Sequence, residues 1–278
     1  MKVPSRRGTS IDSKRYRGWV RRFSTYRDPV SEERLRDWVA HFSEADRDLA
    51  ARILDAVDFF GDEQIAGHYR QALGSLDGWN IDPRRRAGKW RFVALSRSAG
   101  ESGDAMLYKF RLANKLDGRQ HAELFITPSE MLKQRLTEDD TVVLLDDFTG
   151  TGTQVCEAWT DPAMAFGELL ATVGRVYLIV VASTTAARQE IMKSTRISVV
   201  AGQELGNQDN VFASQCKHFT PAERAALLSY CTRADKKRPK GYGDCGLLVV
   251  FQHRTPNNSI PILHADKKKW RGVFPRHY

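Results

Sequence analysis

Val142-Val143-Leu144-Leu145-Asp146-Asp147-Phe148-Thr149-Gly150-Thr151-Gly152-Thr153 is the stretch that decides the fold of this chain. Four consecutive apolar residues end in two adjacent carboxylates, and a turn made mostly of Thr and Gly follows. A short unbroken apolar run bounded by turn residues suits a strand buried on both faces of a parallel sheet. Gly150 and Gly152 let the backbone turn tightly and approach a ligand, with N–H groups free at the start of a helix predicted from residue 154. Thr149, Thr151 and Thr153 add hydroxyls. The pattern describes a phosphate cradle with two acids at its lip, suited to ribose hydroxyls or to a metal ion that neutralises phosphates. In other α/β proteins the same pattern caps a helix or binds a different nucleotide. No Gly-Lys-Ser/Thr follows, which excludes a Walker A loop, and the spacing does not fit Gly-x-Gly-x-x-Gly.

The flanking sequence alternates strand-like and helix-like segments. Strands are predicted at 90–95, 122–126, 142–145, 175–182 and 197–201, and helices at 103–116, 128–136, in part of 153–170, and at 185–193. Such alternation specifies a parallel sheet with helical crossovers, whose ligands sit at the carboxyl ends of the strands. The loops after Leu95 and Leu145 both fall there. Residues 1–82 are read as an N-terminal helical extension, with helices at 31–42, 43–60 and 65–73. The basic segment 1–29, with Tyr16, Trp19, Phe23 and Tyr26, is expected to pack late or on a partner. Residues 83–278 form the main domain. Its tail carries a helix at 221–230, a strand at 246–252 and a Pro/Asn loop at 255–261.

The 142–153 stretch resembles the phosphoribosyl-diphosphate (PRPP) signature of type I phosphoribosyltransferases. Phe148, Gly150 and Gln154 depart from the usual pattern. Together with Leu95-Ser96-Arg97-Ser98-Ala99-Gly100-Glu101-Ser102-Gly103 and Arg254-Thr255-Pro256-Asn257-Asn258-Ser259-Ile260-Pro261, it makes residues 90–275 similar to the phosphoribosyltransferase-like proteins of bacterial conflict and anti-phage systems. Some of those are encoded beside retron reverse transcriptases. The resemblance implies an α/β fold of the type I phosphoribosyltransferase kind, a parallel sheet with flanking helices, here with the N-terminal helical extension. It also implies a hood over the base pocket, supplied by the N-terminal helices or by the tail. Asp146 and Asp147 would hold the ribose hydroxyls, and Thr149, Gly150, Thr151, Gly152 and Thr153 the 5′-phosphate. Arg97, with Ser96, Ser98, Gly100, Ser102 and Gly103, would take the pyrophosphate, since Arg grips phosphate bidentately. The same run is also an ordinary strand-to-helix turn capped by Ser102, and one segment can be both. Mg2+ bridging pyrophosphate and ribose, held indirectly through Asp146 and Asp147, is the expected cofactor. Asn257 and Asn258 have the donors and acceptors to read a base edge, and are equally turn formers beside Pro256. No Ser–His–Asp or Cys–His constellation identifies an acceptor.

Composition bounds the rest. Of 278 residues 41% are hydrophobic and 28% charged, as in ordinary soluble globular proteins. No apolar run approaches a membrane span, and the basic start lacks the apolar stretch of a secretory signal. Four cysteines without a Cys-x-x-Cys pair point to reduced thiols and a cytoplasmic location. The net charge of +9 is concentrated in Arg84-Arg85-Arg86, in Lys236-Lys237-Arg238 with Lys240, and in Lys267-Lys268-Lys269. These runs are solvated loops or contacts to nucleic acid, and Trp90, Tyr242 and Trp270 are core residues or platforms for bases. Three functions fit: an effector acting on PRPP or a related nucleotide in anti-phage defence, a nucleotide sensor without turnover, or a structural subunit of a retron reverse transcriptase complex with its DNA or RNA.

Overall fold

The computed structural model describes residues 11–95, 102–131, 133–161 and 166–276. Its contacts separate two compact units, Glu63–Gly206 and the combination of Met1–Asp62 with Asn207–Tyr278. This division runs differently from the boundary after residue 82 drawn on the sequence, because the two ends of the chain build one core together.

The Glu63–Gly206 unit is a mixed α/β structure around a parallel sheet. Strand Thr141–Leu145 lies between Trp90–Ala94 and Arg175–Thr184, and Ser198–Leu205 pairs with the far side of Arg175–Thr184. Helices flank it, among them Asp62–Gly74, Ser102–Ala113, Thr153–Thr160 and Thr185–Ser194. Parity along Thr141–Leu145 explains its unbroken apolar run. Val142 and Leu144 pack with Val93, Leu178, Val155 and Ile191. Val143 is registered with Phe92, whose ring lies 5.0 Å from Phe110 and 5.3 Å from Trp79. Both parities of Val142 to Leu145 are fully buried, so both faces of the run select apolar side chains.

Two predicted elements differ. Residues 119–124 form a 3-10 helix where a strand was expected near 122–126; only an isolated bridge, Phe92 to Phe125, remains. The helix expected over 128–136 is the single turn Pro128–Met131. The chain has to come back to Thr137, which is tied to Asp140.

Asp140 clamps the amino end of the sheet. It is 3% exposed and accepts from the Lys89 N–H at 2.8 Å, the Thr137 N–H at 2.8 Å and the Thr137 hydroxyl at 3.3 Å. Burial alone would raise its pKa, but these donors outweigh burial and hold it below the usual carboxylate value. The strand it precedes is thereby fixed against the end of the Trp90–Ala94 strand.

In the other unit, helices Ser13–Arg22, Glu32–Ala40, Arg47–Ala56 and Pro221–Ala234 enclose an aromatic core. Tyr16, Trp19, Phe23 and Tyr26, expected to pack late or on a partner, are 4%, 3%, 0% and 2% exposed within it. Phe23 and Tyr26 meet Phe274 edge-on at 4.9 and 5.2 Å. Trp38 donates to the Ile262 carbonyl at 2.7 Å. The helix expected over 43–60 ends at Ala56. Val57 turns extended, and Asp58–Phe60 pairs in parallel with Val249–Phe251. A β-branched and aromatic run prefers a strand where a neighbouring strand is available. Among the described residues, no helix is long and apolar enough to cross a membrane.

Replacing Asp140 with Ala removes a charged acceptor from two part-buried N–H donors and should cost about 2 kcal/mol in urea unfolding. Because the folded pKa of Asp140 is depressed, its stabilisation is fully present above the unfolded value of about 3.9 and is lost as pH falls through the lower folded value. The stability gap between wild type and Asp140→Asn should therefore be flat at neutral pH and shrink below about pH 4.

Candidate functional site

The ladder of the motif strand does not stop at the acids. Thr141 is registered with Arg175 and, past the acidic pair, Thr149 with Ser183, an unchanged offset. In between, the Asp146 N–H donates to the Ile179 carbonyl at 3.2 Å, and the Asp147 carbonyl accepts from the Val181 N–H at 2.9 Å. Asp146 and Asp147, with a bend at Asp147, join the strand Thr141–Leu145 to the strand Phe148–Thr149, and both strands pair with Arg175–Thr184. They are 4% and 0% exposed. The Asp147 N–H donates to Asp146 Oδ1 at 2.8 Å, which turns the first carboxylate back along its own backbone.

Tyr69, from the helix Asp62–Gly74, donates its hydroxyl to the Asp146 carbonyl at 2.9 Å. Its ring is fully buried and meets Phe110 edge-on at 5.5 Å. Burial, then the charges of Asp147 and Asp146, push its pKa well above the ordinary value. Tyr69 is therefore a neutral donor in the same low-dielectric space as both acids. Sequence periodicity placed it only on an apolar helix face with Ile65 and Leu73. The signal was its hydroxyl, which needs a partner when buried.

The turn is held from the next crossover. Thr184, which caps the helix Thr185–Ser194, donates its hydroxyl to the Gly150 carbonyl at 2.7 Å and accepts from the Ala187 N–H at 2.9 Å. Gly152 has φ 76° and ψ −10°, and an added Cβ would lie 3.0 Å from the Ala187 carbonyl. Glycine is required there by both conformation and proximity. Gly152 is also the N-cap of the helix Thr153–Thr160 and contributes no capping side chain. The Thr151 and Thr153 hydroxyls lie 2.9 Å apart at the half-exposed rim. Thr149 is buried within the ladder. The site thus combines two fixed carboxylates, a phenol behind them, and a helix start with hydroxyls beside it.

Ser96, Arg97, Ser98 and Gly100 lie outside the described residues. Their flanks are placed beside the acids: the Leu95 N–H donates to the Leu145 carbonyl at 2.9 Å. The following helix begins at Ser102, and a Cβ on Gly103 would lie 2.9 Å from the Leu95 carbonyl. Asn257 and Asn258 belong to the other unit. There the Asn258 amide donates to the Tyr242 carbonyl at 3.1 Å, and the Asn257 carbonyl accepts from the Tyr242 N–H at 2.7 Å, both holding a turn. Trp90 and Trp270, each 1% exposed, are core residues and offer no face to a base. Among the described residues, no group of three or more His, Cys, Asp and Glu side chains is arranged to hold a metal ion. The acids Asp146 and Asp147 supply hard oxygen donors as a pair.

Residues 35–276 match the model of the family described as PRTase-CE, phosphoribosyltransferase-like proteins. No curated protein matches the chain. The family match takes in residues of both units and most of the segment read as an N-terminal extension.

Replacing Tyr69 with Phe leaves the ring in place and removes a buried hydrogen bond to the Asp146 carbonyl, at a cost of about 1–2 kcal/mol. Urea unfolding should show that loss with an unchanged denaturant slope, because the compactness of neither state changes.

Proposed function

The chain belongs to the PRTase-CE family, and we propose that its 146–153 element binds the ribose 5-phosphate portion of PRPP or a related nucleotide, as the site of phosphoribosyl transfer or related glycosidic-bond chemistry. The observation that carries this reading is the pair of buried acids, locked in a strand ladder directly before a Gly/Thr turn and helix start. Carboxylates are seldom fully buried without a task that repays their desolvation.

The roles follow from position. The carboxylates of Asp146 and Asp147 accept from the ribose 2′ and 3′ hydroxyls. The 5′-phosphate lies against the backbone of 149–153 and the Thr151 and Thr153 hydroxyls, at the positive end of the helix. Arg97, with the Ser and Gly residues of its loop, takes the pyrophosphate. As the bond from C1 to pyrophosphate breaks, positive charge develops on the ribose, and acids fixed beforehand stabilise it without reorganising. Tyr69, neutral and buried, keeps Asp146 in place.

Mg2+ keeps several waters and needs only one or two protein carboxylates beside substrate phosphates, so Asp146 and Asp147 fit it. When bound, it neutralises charge on the departing pyrophosphate. The wider setting of the proposal is anti-phage defence, as a retron-type toxin working with a reverse transcriptase and its DNA or RNA in the cytoplasm. The similarity of the 95–103 and 254–261 stretches to conflict-system proteins supports it.

Calorimetric titration with PRPP and Mg2+, followed by a pyrophosphate-release assay with candidate acceptors, tests the site. Wild type should bind. Asp146→Asn combined with Asp147→Asn should abolish binding and protection against phage, with the thermal midpoint unchanged. Binding without pyrophosphate release would make the protein a nucleotide sensor, and no binding of PRPP or any nucleotide would sink the reading.

A further inference from the structure

Two of the three basic runs, distant in sequence, form one surface. Asp266–Lys267 and Trp270–Arg271 pair as a small antiparallel hairpin with Lys268 and Lys269 at its tip. Lys267 Nζ lies 3.3 Å from Asp235 Oδ1. Asp235 is the C-cap of the helix Pro221–Ala234 and leads directly into Lys236-Lys237-Arg238. A second contact fixes the same arrangement: Arg233, in the last turn of that helix, lies 5.8 Å above the Trp270 ring of the hairpin. The hairpin and the helix end are therefore neighbours, and all three cations of each run are exposed.

Little of this charge is spent internally. Asp235 engages Lys267 and accepts from the Lys237 N–H at 3.0 Å. Arg238 stacks over Tyr242 at 4.9 Å and keeps its charge. Among the described residues, Lys236, Lys237, Lys268 and Lys269 enter no ion pair. The acids nearby, Glu33, Asp37 and the hairpin's own Asp266, line a groove with Arg34 and Arg271.

The character of the face selects its partner. Protein interfaces are anchored by apolar and aromatic side chains at their centre. The large hydrophobic side chains exposed among the described residues, Ile81, Tyr108, Leu112 and Met192, all belong to the other unit. Trp270, the aromatic residue of the hairpin, is covered by His41, stacked at 4.5 Å, so it gives no platform for a base. What is left is a cluster of long, mobile cations, which matches a phosphodiester backbone and carries no means of reading sequence. The run at 84–86 belongs to the Glu63–Gly206 unit. Arg86 there donates to the Asn80 and Ile81 carbonyls at 2.6 and 2.7 Å and covers Trp79, a local structural role.

We infer that the hairpin tip Lys268-Lys269 and the segment Lys236-Lys237-Arg238 together form a docking face for the backbone of a nucleic acid, bound without base recognition. Binding at this face is read without PRPP and is independent of the 146–153 element.

Fluorescence anisotropy on the full chain, with a labelled mixed-sequence DNA duplex titrated across salt concentrations, tests it. Wild type should bind with a steep salt dependence, equally for unrelated sequences. Neutralising Lys236 and Lys237 to Gln, or Lys268 and Lys269 to Gln, should each lower the log–log salt slope by about 1.8, at about 0.9 per phosphate contact. Combined, the four changes should lower it by about 3.6 and weaken binding more than tenfold at fixed salt. Arg84→Gln with Arg85→Gln should change neither quantity. All these side chains are exposed, and unchanged thermal midpoints will show that the fold is intact. An unaltered slope in the fourfold variant, an equal loss in the Arg84/Arg85 variant, or binding of poly-glutamate in place of the duplex would overturn the proposal. The last outcome would assign the face to an acidic protein. A slope lowered by only one of the two pairs would also overturn it, since the runs would then not act as one face.

Discussion

The backbone ladder between the run 141–149 and the strand Arg175–Thr184 is the constraint on which the site depends. It holds the same register before and after the acidic pair. The two carboxylates are therefore positioned by main-chain hydrogen bonds on one side and by Tyr69 behind the Asp146 carbonyl. A carboxylate on a flexible loop loses rotational freedom each time it engages a ligand. Acids fixed in a sheet have met most of that cost in folding, which is the meaning of preorganisation for a binding or catalytic site.

Thr184 extends the same logic to the turn. It is the last residue of the strand that pairs with the motif, the cap of the next helix, and the donor to Gly150. The position of the turn is thus set by the strand beside it. The sheet, the turn and the following helix form one mechanical unit, in which Gly152 packs closely on the Ala187 carbonyl.

Much of this could be read from the residues. An apolar run of four between turn residues meant a strand buried on both faces, and Val142 to Leu145 are that strand. The Gly/Thr turn before a helix was equally legible, because glycine spacing and hydroxyl residues act locally. Tyr69 was hidden, since its contact to Asp146 spans a helix and a strand far apart in sequence and periodicity reports only that it faces inward. The strand Asp58–Phe60 was hidden for a related reason: its partner, Val249–Phe251, comes from the other end of the chain. The same long-range pairing makes the N-terminal helices and the tail one unit, where the sequence suggested an extension followed by a domain. Basic runs were visible as composition, and the Asp235–Lys267 and Arg233–Trp270 contacts show that two of them are neighbours.

The strand that carries the acids also has a carboxylate at its opposite end, and the two ends have different duties. Asp140 accepts from backbone and hydroxyl donors of Lys89 and Thr137, so registry is settled at the amino end, away from the acidic pair. The residues at the carboxyl end are then relieved of that duty. Side chains around the turn can then be exchanged without the strand slipping by a residue and inverting its faces. A sheet anchored at one end in this way can change what it recognises and still remain the same sheet.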